Sequence, residues 1–265
     1  MGVVLLTTGV PGCGKTYVRC ARFLVDDFLV NSNGVHYSNF PVNVDLVCEA
    51  VSSSVKRQKR FFSWLYKPSY SLVSDLRSRV QLIPEDVLLS WRSEYSGPWD
   101  FFKGVNLKGA HIALDEVHNF VSFSKSPDYI KKWDEFLGEI RHRGCTFEAL
   151  TQDETQVHPV LIGRASLRYE LIPAEDFRDP YFRIPMGDWY ELKAAFTGFY
   201  HKTVFEVEKR KQGRGWKQNN VRRFLIDPYY FRFYNSFNAS LAEVEQDRSS
   251  VAAAAVSGDF PTLEL

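Results

Sequence analysis

The residues best suited to chemistry lie close to the start of the chain, in the glycine-rich segment GVPGCGKT at residues 9–16. The segment fits the pattern G-x-x-x-x-G-K-[ST] without a mismatch, and such glycines allow backbone N–H groups to surround phosphate oxygens. Lys15 is expected to reach the β- and γ-phosphates of ATP, and the Thr16 hydroxyl is expected to bind Mg²⁺. The predicted nucleotide-binding residues are Gly9, Gly12, Cys13, Gly14, Lys15, Thr16 and Tyr17.

Two adjacent acids, Asp115 and Glu116, follow an apolar stretch at residues 112–114. A buried strand would carry Asp115 to the edge of a sheet, where it can hold Mg²⁺. Glu116 can act as the general base that activates a water molecule, and the pair therefore favours hydrolysis over phosphoryl transfer to a small molecule. The letters DEVH also fit a helicase pattern, but such helicases need two tandem domains of this kind. His118 is therefore expected to be a supporting or packing residue.

Three further polar residues follow in the segment RHRGCTFEALTQ. Gln152 ends the next predicted strand, so it is expected near the γ-phosphate, where an amide can sense the nucleotide or position water. Arg141 and Arg143 close the helix before that strand. Each acts either as an arginine finger toward the nucleotide of a neighbouring subunit or as a partner of its own helix dipole. The predicted catalytic residues are Glu116, Gln152, Arg141 and Arg143.

Strands that alternate with helices must position these groups. The apolar run before residue 9 predicts a buried strand, and a helix is expected from Thr16 onward. Residues 126–144 show apolar side chains at helical spacing, and strands are expected around residues 35–40, before Asp115, at 145–152 and at 164–173. This order predicts an α/β fold, a P-loop core with a mainly parallel sheet flanked by helices.

The chain divides into three predicted parts. Residues 1–172 are expected to form the P-loop core, in which about 52–104 resembles an insertion or a set of helices covering the sheet. Residues 173–237 change to an aromatic and basic composition, and the segments around a QGRG turn predict a β-hairpin near residues 203–226. Residues 238–265 form an acidic tail, either a disordered end or a docking segment.

The composition excludes several classes of protein. Hydrophobic content of 45% and charged content of 25% over 265 residues are typical of a globular protein rather than a disordered one. The four cysteines form no C-x-x-C pair, which indicates reduced thiols in a cytosolic protein. No apolar run approaches the roughly 18 residues of a membrane span, and the first strand lacks the basic start of a signal peptide. The chain is expected to be soluble.

Two basic segments are suited to contact with DNA. Residues 56–60 read KRQKR and precede several aromatic residues. The predicted hairpin carries Lys209, Arg210, Lys211, Arg214, Lys217, Arg222 and Arg223. Contacts from such side chains to phosphates give affinity that depends on salt and not on sequence. A solvated face, or a patch for an acidic partner, remains the alternative for either segment.

The ordered motifs carry a resemblance to a known family. GVPGCGKT, YSNFPVN, IALDEVHNF, RHRGCTFEALTQ and IGRASLRYEL together resemble the zonula-occludens-toxin family of phage ATPases, in the FtsK/HerA branch of P-loop motors. That branch is similar to the genome-packaging ATPases of membrane-containing viruses. The resemblance implies a RecA-like fold, ring-forming subunits, Gln152 as polar sensor and an arginine finger near residues 141–143. The filamentous-phage members carry a membrane span, and this sequence shows none.

The expected function is therefore an ATP-driven motor that moves DNA during virus assembly, with genome packaging into a capsid as the leading interpretation. The alternative is a filamentous-phage-type morphogenesis ATPase acting at the inner membrane. A small-molecule kinase and an AAA+ remodeller are the candidates from other classes. The expected partners are DNA, further copies of the chain in a ring, and a capsid or membrane protein. The expected location is the host cytoplasm or the virion, with the inner-membrane surface as the alternative.

Overall fold

An eight-stranded sheet forms the centre of the computed structural model, which describes residues 2–29, 32–48, 50–51, 76–173, 176, 203–213 and 215–225. The strands are β1 (Val3–Thr8), β2 (His36–Ser38), β3 (Val80–Leu82), β4 (His111–Leu114), β5 (Thr146–Thr151), β6 (Leu167–Pro173), β7 (Thr203–Gln212) and β8 (Gly215–Leu225). They lie in the order β3-β2-β4-β5-β1-β6-β7-β8. The six strands β1 to β6 are parallel to one another, and β7 and β8 are added to this sheet in antiparallel pairing. The predicted α/β fold with a mainly parallel sheet is confirmed.

Helices cover both faces of this sheet. Two consecutive π-helical segments follow the glycine-rich loop, Thr16–Arg22 and Leu24–Phe28. The α-helices are α1 (Glu85–Arg92), α2 (Pro98–Phe102), α3 (Pro127–Arg143) and α4 (Pro159–Arg164). Within the described residues, no helix combines the length and apolarity needed to cross a membrane.

Side chains along the central strands point alternately to the two faces of the sheet, and the two faces differ in their environment. On one face Val4 and Leu6 of β1 lie with Phe147 and Ala149 of β5 in a large apolar core. Helix α3 packs on this face through the residues whose spacing predicted it, all of them buried: Ile130, Trp133, Phe136, Leu137 and Ile140. The helix ends at Gly144, as predicted. Burial of these large side chains is the main stabilising contribution on this face.

The opposite face of the same strands carries a buried ionic cluster. Arg19, from the first π-helical segment, donates to Glu148 of β5 at 2.6 Å and to Glu206 of β7 at 3.2 Å. Its guanidinium also lies 4.0 Å from the ring centroid of Tyr169 on β6. Thr7 of β1 donates to Glu148 as well, at 2.9 Å. One side chain of the loop-following segment is therefore bonded to two strands, β5 and β7, that flank β1 and β6 in the sheet.

The pKa values of the two glutamates differ because their partners differ. Burial alone would raise the pKa of Glu148, but the charge of Arg19 and the hydrogen bond with His111 lower it to about 2. Burial raises the pKa of Glu206, which Arg19 offsets only in part. Since its folded pKa is depressed, ionised Glu148 stabilises the fold above the ordinary pKa of 4.5, and that contribution is lost as the pH falls toward 2.

The hairpin predicted near residues 203–226 is confirmed as β7 and β8, which turn at Gly213. It is not separate from the core sheet, because β7 pairs along its length with β6. The expected insertion also differs from its prediction, since its described part contributes strand β3 to the sheet edge in addition to helices α1 and α2. The short β3 has little apolar pattern to reveal it. The basic residues 56–60, Arg214, the stretch 227–237 and the tail 238–265 lie outside the described residues.

The ionic cluster generates a stability prediction. Replacing Arg19 by Met keeps an unbranched side chain in place of the aliphatic part of arginine but leaves Glu148 and Glu206 buried without their counter-ion. We expect the free energy of unfolding to fall by about 3–5 kcal/mol, the usual cost of breaking a buried pair from one side. Urea unfolding at pH 7 measures the change.

An exposed pair in the same chain provides the control. Arg77 and Asp45 lie 2.7 Å apart with side chains 61% and 70% exposed. The Arg77→Met variant should lose no more than about 1 kcal/mol. Equal losses in the two variants would contradict the stabilising role given to the buried cluster.

Candidate active site

The glycine-rich loop joins β1 to the first π-helical segment, and two of its glycines adopt a conformation that other residues avoid. Gly12 has φ +71° and Gly14 has φ +93°, which lies in the left-handed region that glycine enters without a steric cost. A Cβ on Gly12 would meet no atom within 4 Å, so the loop backbone is open on that side. The loop therefore has the conformation, as well as the sequence, of a phosphate-binding turn.

Lys15 lies inside this loop with its ammonium held by the loop's own carbonyls. Its Nζ donates to the carbonyl of Gly9 at 2.9 Å and to that of Val10 at 3.4 Å. The side chain is buried, so the ammonium has lost most of its water. A cation in such a position is poised to attract an anionic ligand of the loop.

Thr16 brings the loop into contact with the acidic residues that follow β4. Its Oγ1 donates to Oδ2 of Asp115 at 2.7 Å, across 99 residues of sequence. The contact forms because β4 and β1 flank β5 in a parallel sheet, so that all three carboxyl ends lie at the same edge. The two sequence motifs are thus parts of one site.

The Asp115 carboxylate is partly desolvated. Burial raises its pKa, and the hydrogen bonds from the Thr16 hydroxyl and the Glu116 N–H counter this rise only in part. A desolvated carboxylate gains from a nearby cation, and Mg²⁺ prefers carboxylate and other oxygen ligands beside phosphates. The hydroxyl of Thr16 and the carboxylate of Asp115 therefore fit Mg²⁺ in their chemistry.

Glu116 lies beside Asp115 and is contacted from two sides. Its Oε1 accepts from Nε2 of Gln152 at 3.0 Å, and its Oε2 lies 3.3 Å from Nδ1 of His118. The same nitrogen of His118 lies 3.4 Å from Oγ1 of Thr151. The structure thus brings Glu116 and Gln152 together at the predicted edge of the sheet, with His118 beside Glu116. The supporting role of His118 stays a prediction.

Two of the predicted loop residues face the protein interior. Tyr17 and Cys13 are buried in a small apolar cluster with Val18, Leu171 and Val204. Their side chains anchor the loop to β6 and β7. Any contact of Tyr17 or Cys13 with a nucleotide must therefore be made through the backbone.

Arg141 and Arg143 lie near the amino ends of the parallel strands, whereas the loop lies at the carboxyl ends. The Arg141 carbonyl accepts from the N–H of Gly2 at 3.0 Å, just before β1 begins. The six residues of β1 span about 20 Å at 3.3 Å per residue, so neither arginine joins the site of its own subunit. The Arg143 guanidinium lies 4.5 Å from the ring centroid of Trp99. A role as arginine fingers toward a neighbouring subunit stays a prediction.

One residue at the site was given no role in the sequence analysis. Asn39, in the YSNFPVN stretch after β2, bonds through its side-chain amide to the backbone of Asp115. The only sequence signal is an amide residue immediately after a short strand, which is too common to single out a site.

A glycine substitution tests how closely the loop must pack. A Cβ on Gly9 would lie 2.7 Å from both the Leu171 carbonyl oxygen and the Cys13 sulfur. Overpacking of this kind costs about 1–3 kcal/mol, so we expect Gly9→Ala to displace the loop and weaken ATP binding by about tenfold. A titration with a fluorescent ATP analogue measures the affinity.

Gly163 in α4 is the matched control, because a Cβ there would meet no atom within 4 Å. Gly163→Ala should keep the affinity for ATP and raise helix stability by up to about 1 kcal/mol. Unchanged affinity in Gly9→Ala would mean that the loop is not held by β6.

Comparison with known proteins gives matches only among solved structures, since no protein-family model and no curated protein matches the chain. The N-terminal domain of zonular occludens toxin from Neisseria meningitidis is 15% identical, with 89% of this chain and 100% of that chain covered and a TM-score of 0.43. The genome packaging NTPase B204 from Sulfolobus turreted icosahedral virus 2, in complex with ATP-gammaS, is 16% identical, with coverage of 82% and 96% and a TM-score of 0.40.

A third similar structure is the KaiC-like protein PH0186 from Pyrococcus horikoshii OT3, which is 11% identical with a TM-score of 0.45 and covers 88% of each chain. The names of the first two fall in the group that the sequence motifs resemble. At these identities and TM-scores the likenesses assign no family, and the functional conclusion depends on the geometry of the site.

Proposed function

We propose that this chain is a Mg²⁺-dependent P-loop ATPase. The observation that carries the proposal is the 2.7 Å hydrogen bond between Thr16 and Asp115. It joins a phosphate-binding loop to an acidic strand end, with the Glu116 carboxylate directly beside them. A chance glycine turn would not be expected to meet a partly desolvated carboxylate in this way.

The residues divide the work of hydrolysis between them. The loop N–H groups and the Lys15 ammonium bind the triphosphate and offset its negative charge. Thr16 and Asp115 would hold Mg²⁺, which when bound neutralises charge on the phosphate oxygens. Glu116 accepts a proton from the attacking water. Gln152, bonded to Glu116, helps to fix the orientation of that carboxylate.

The geometry favours an ATPase of the motor type over the two rival classes. A small-molecule kinase has no need for a water-activating carboxylate, whereas Glu116 stands beside Asp115 at the edge where the γ-phosphate is expected. An AAA+ remodeller would carry a helical lid after its core, but the described part of the following region is the β7–β8 hairpin. Both features support an ATPase of the motor type.

We further propose that the energy of hydrolysis moves DNA during virus assembly, with packaging of a genome into a capsid as the preferred role. The order of motifs along the sequence supports this proposal, and so does the position of the basic hairpin. Strand β6 pairs with β1 on one side and with β7 on the other. A change at the loop after β1 therefore has a short route to the exposed cations of β7 and β8. In this proposal the subunits form a ring and dock on a capsid or membrane protein.

The proposed base assignment gives the first functional test. Glu116→Gln keeps the shape of the side chain but removes its basicity, so we expect ATP to bind normally and turnover to fall by at least about 10²-fold. Lys15→Ala should abolish both binding and turnover. Release of inorganic phosphate and equilibrium binding of an ATP analogue are measured for each variant.

Glu135→Gln provides the matched control, since it makes the same chemical change on the exposed side of α3. It should hydrolyse ATP at the wild-type rate. Wild-type turnover in Glu116→Gln would remove the base assignment, and turnover that survives Lys15→Ala would remove the proposed site.

The hairpin gives a separate test of the DNA-moving role. Lys209 is paired with Glu170, and Arg210 with Glu208, so the substitutions are made at the exposed Lys211, Lys217 and Arg222. The Lys211 ammonium has no carboxylate in the bond it makes, which is to the Gly163 carbonyl at 2.9 Å. Replacing these three with Ala should weaken DNA binding for all sequences. For every bond to a phosphate that the substitutions remove, the slope of log affinity against log salt should fall by about 0.9 for duplex DNA.

The control removes the same number of charges at another exposed place, by replacing Lys103, Lys108 and Lys131 with Ala. It should leave the salt slope unchanged, and both triple variants should keep their ATP hydrolysis without DNA. A slope that stays at the wild-type value in the hairpin variant would contradict DNA binding by β7 and β8.

A further inference from the structure

The sheet ladder between β2 and β4 stops just before the acidic pair. The strands are paired up to Ser38 and Ala113, and there β2 ends. The Ser38 hydroxyl donates to the Phe40 carbonyl at 2.9 Å just after the end of β2. Beyond this point, the backbone of β2 no longer supplies partners to the residues that follow β4.

The side chain of Asn39 takes over at the point where the ladder ends. Its Oδ1 accepts from the N–H of Asp115 at 2.7 Å, and its Nδ2 donates to the carbonyl of Asp115 at 2.9 Å. A side-chain amide has the same donor and acceptor groups as a peptide unit. Asn39 therefore supplies backbone-like partners beyond the end of the ladder, and both backbone groups of Asp115 are held.

The fixed backbone of Asp115 determines where its carboxylate points. Oδ2 accepts from the Thr16 hydroxyl at 2.7 Å, and Oδ1 accepts from the N–H of Glu116 at 2.9 Å. Each polar group of Asp115 thus has a partner within the site. A shift of the Asp115 backbone would move the carboxylate away from Thr16 and release the N–H of Glu116.

Glu116 needs this support because its backbone is strained. It has φ +51° and ψ +47°, the left-handed conformation, which costs about 1–2 kcal/mol for a residue with a Cβ. Its carbonyl accepts from the N–H of Asn119 at 2.9 Å on the following side. On the preceding side the peptide is held through Asp115 by Asn39. Strain of this kind persists only where its surroundings fix it.

We propose that Asn39 is a positioning residue for hydrolysis, which holds the peptide between Asp115 and Glu116 so that both carboxylates face the phosphate-binding loop. This inference rests on the proposed ATPase function and adds to it a residue outside the loop and the acidic pair. Asn39 does not touch the reacting atoms. It acts through the orientation of Asp115 and Glu116.

The test compares two substitutions at this position with one nearby. Asn39→Ala removes both hydrogen bonds, and Asn39→Leu removes them while keeping a side chain of similar shape. Asn43→Ala is the matched control, because Asn43 also accepts a backbone hydrogen bond, from Leu46 at 3.2 Å, but does not contact Asp115. For each full-length protein, kcat, KM, equilibrium affinity for an ATP analogue and the midpoint of thermal unfolding are measured.

We expect both Asn39 variants to lower kcat by about 10- to 100-fold, the usual effect of a small misplacement of catalytic groups. The affinity for the ATP analogue should stay within about threefold of wild type, since the loop is intact. Asn43→Ala should keep the wild-type kcat even if its midpoint of thermal unfolding falls as far as that of the Asn39 variants. In the Glu116→Gln background, Asn39→Ala should lower the remaining turnover by less than it does alone, because residues that act as a unit are not additive.

A folded Asn39→Ala or Asn39→Leu variant with wild-type kcat would overturn the inference. An equal loss of kcat in Asn43→Ala would also overturn it, because the effect would then follow from stability alone. If ATP hydrolysis depends on Lys15 and Glu116 but not on Asn39, the role of Asn39 is wrong and the proposed ATPase function still holds. If the wild-type protein does not hydrolyse ATP, both the role of Asn39 and the proposed function are wrong.

Discussion

The hydrogen bond between Thr16 and Asp115 is the contact on which the candidate site depends. It can form only because the strands that lead to the two residues, β1 and β4, are parallel and separated by β5 alone. A shift of one residue in that register would turn the alternating side chains to opposite faces. The apolar core under α3 and the ionic cluster on the other face both oppose such a shift.

The ionic cluster also links the nucleotide site to the rest of the molecule. Arg19 follows Thr16 by three residues and is bonded to Glu148 on β5 and Glu206 on β7. Strand β5 ends at Thr151, next to Gln152, and β7 carries the basic hairpin. The segment after the loop is therefore bonded to the strand that leads to Gln152 and to the strand that leads to the proposed DNA-binding residues. This arrangement is what coupling between the two regions would require.

The sequence predicts the features that have a local pattern. The loop, the strand before Asp115, helix α3 and the hairpin all follow from spacing and turn residues, and each was found. Strand β3 could not be predicted, because three residues carry too little periodicity. The roles of Asn39, Arg19 and Glu148 could not be predicted either, since a buried ion pair or an amide bonded to a distant backbone depends on which strands become neighbours.

The most direct test of the account is whether Thr16 and Asp115 act as one site for Mg²⁺ and ATP. A double-mutant cycle of Thr16→Val and Asp115→Asn, with ATP affinity measured by titration with and without Mg²⁺, gives the coupling between them. We expect each substitution to weaken the Mg²⁺-dependent part of binding, and the double variant to lose little more than the weaker-binding single variant. Losses that multiply, or that are the same without Mg²⁺, would contradict a shared site.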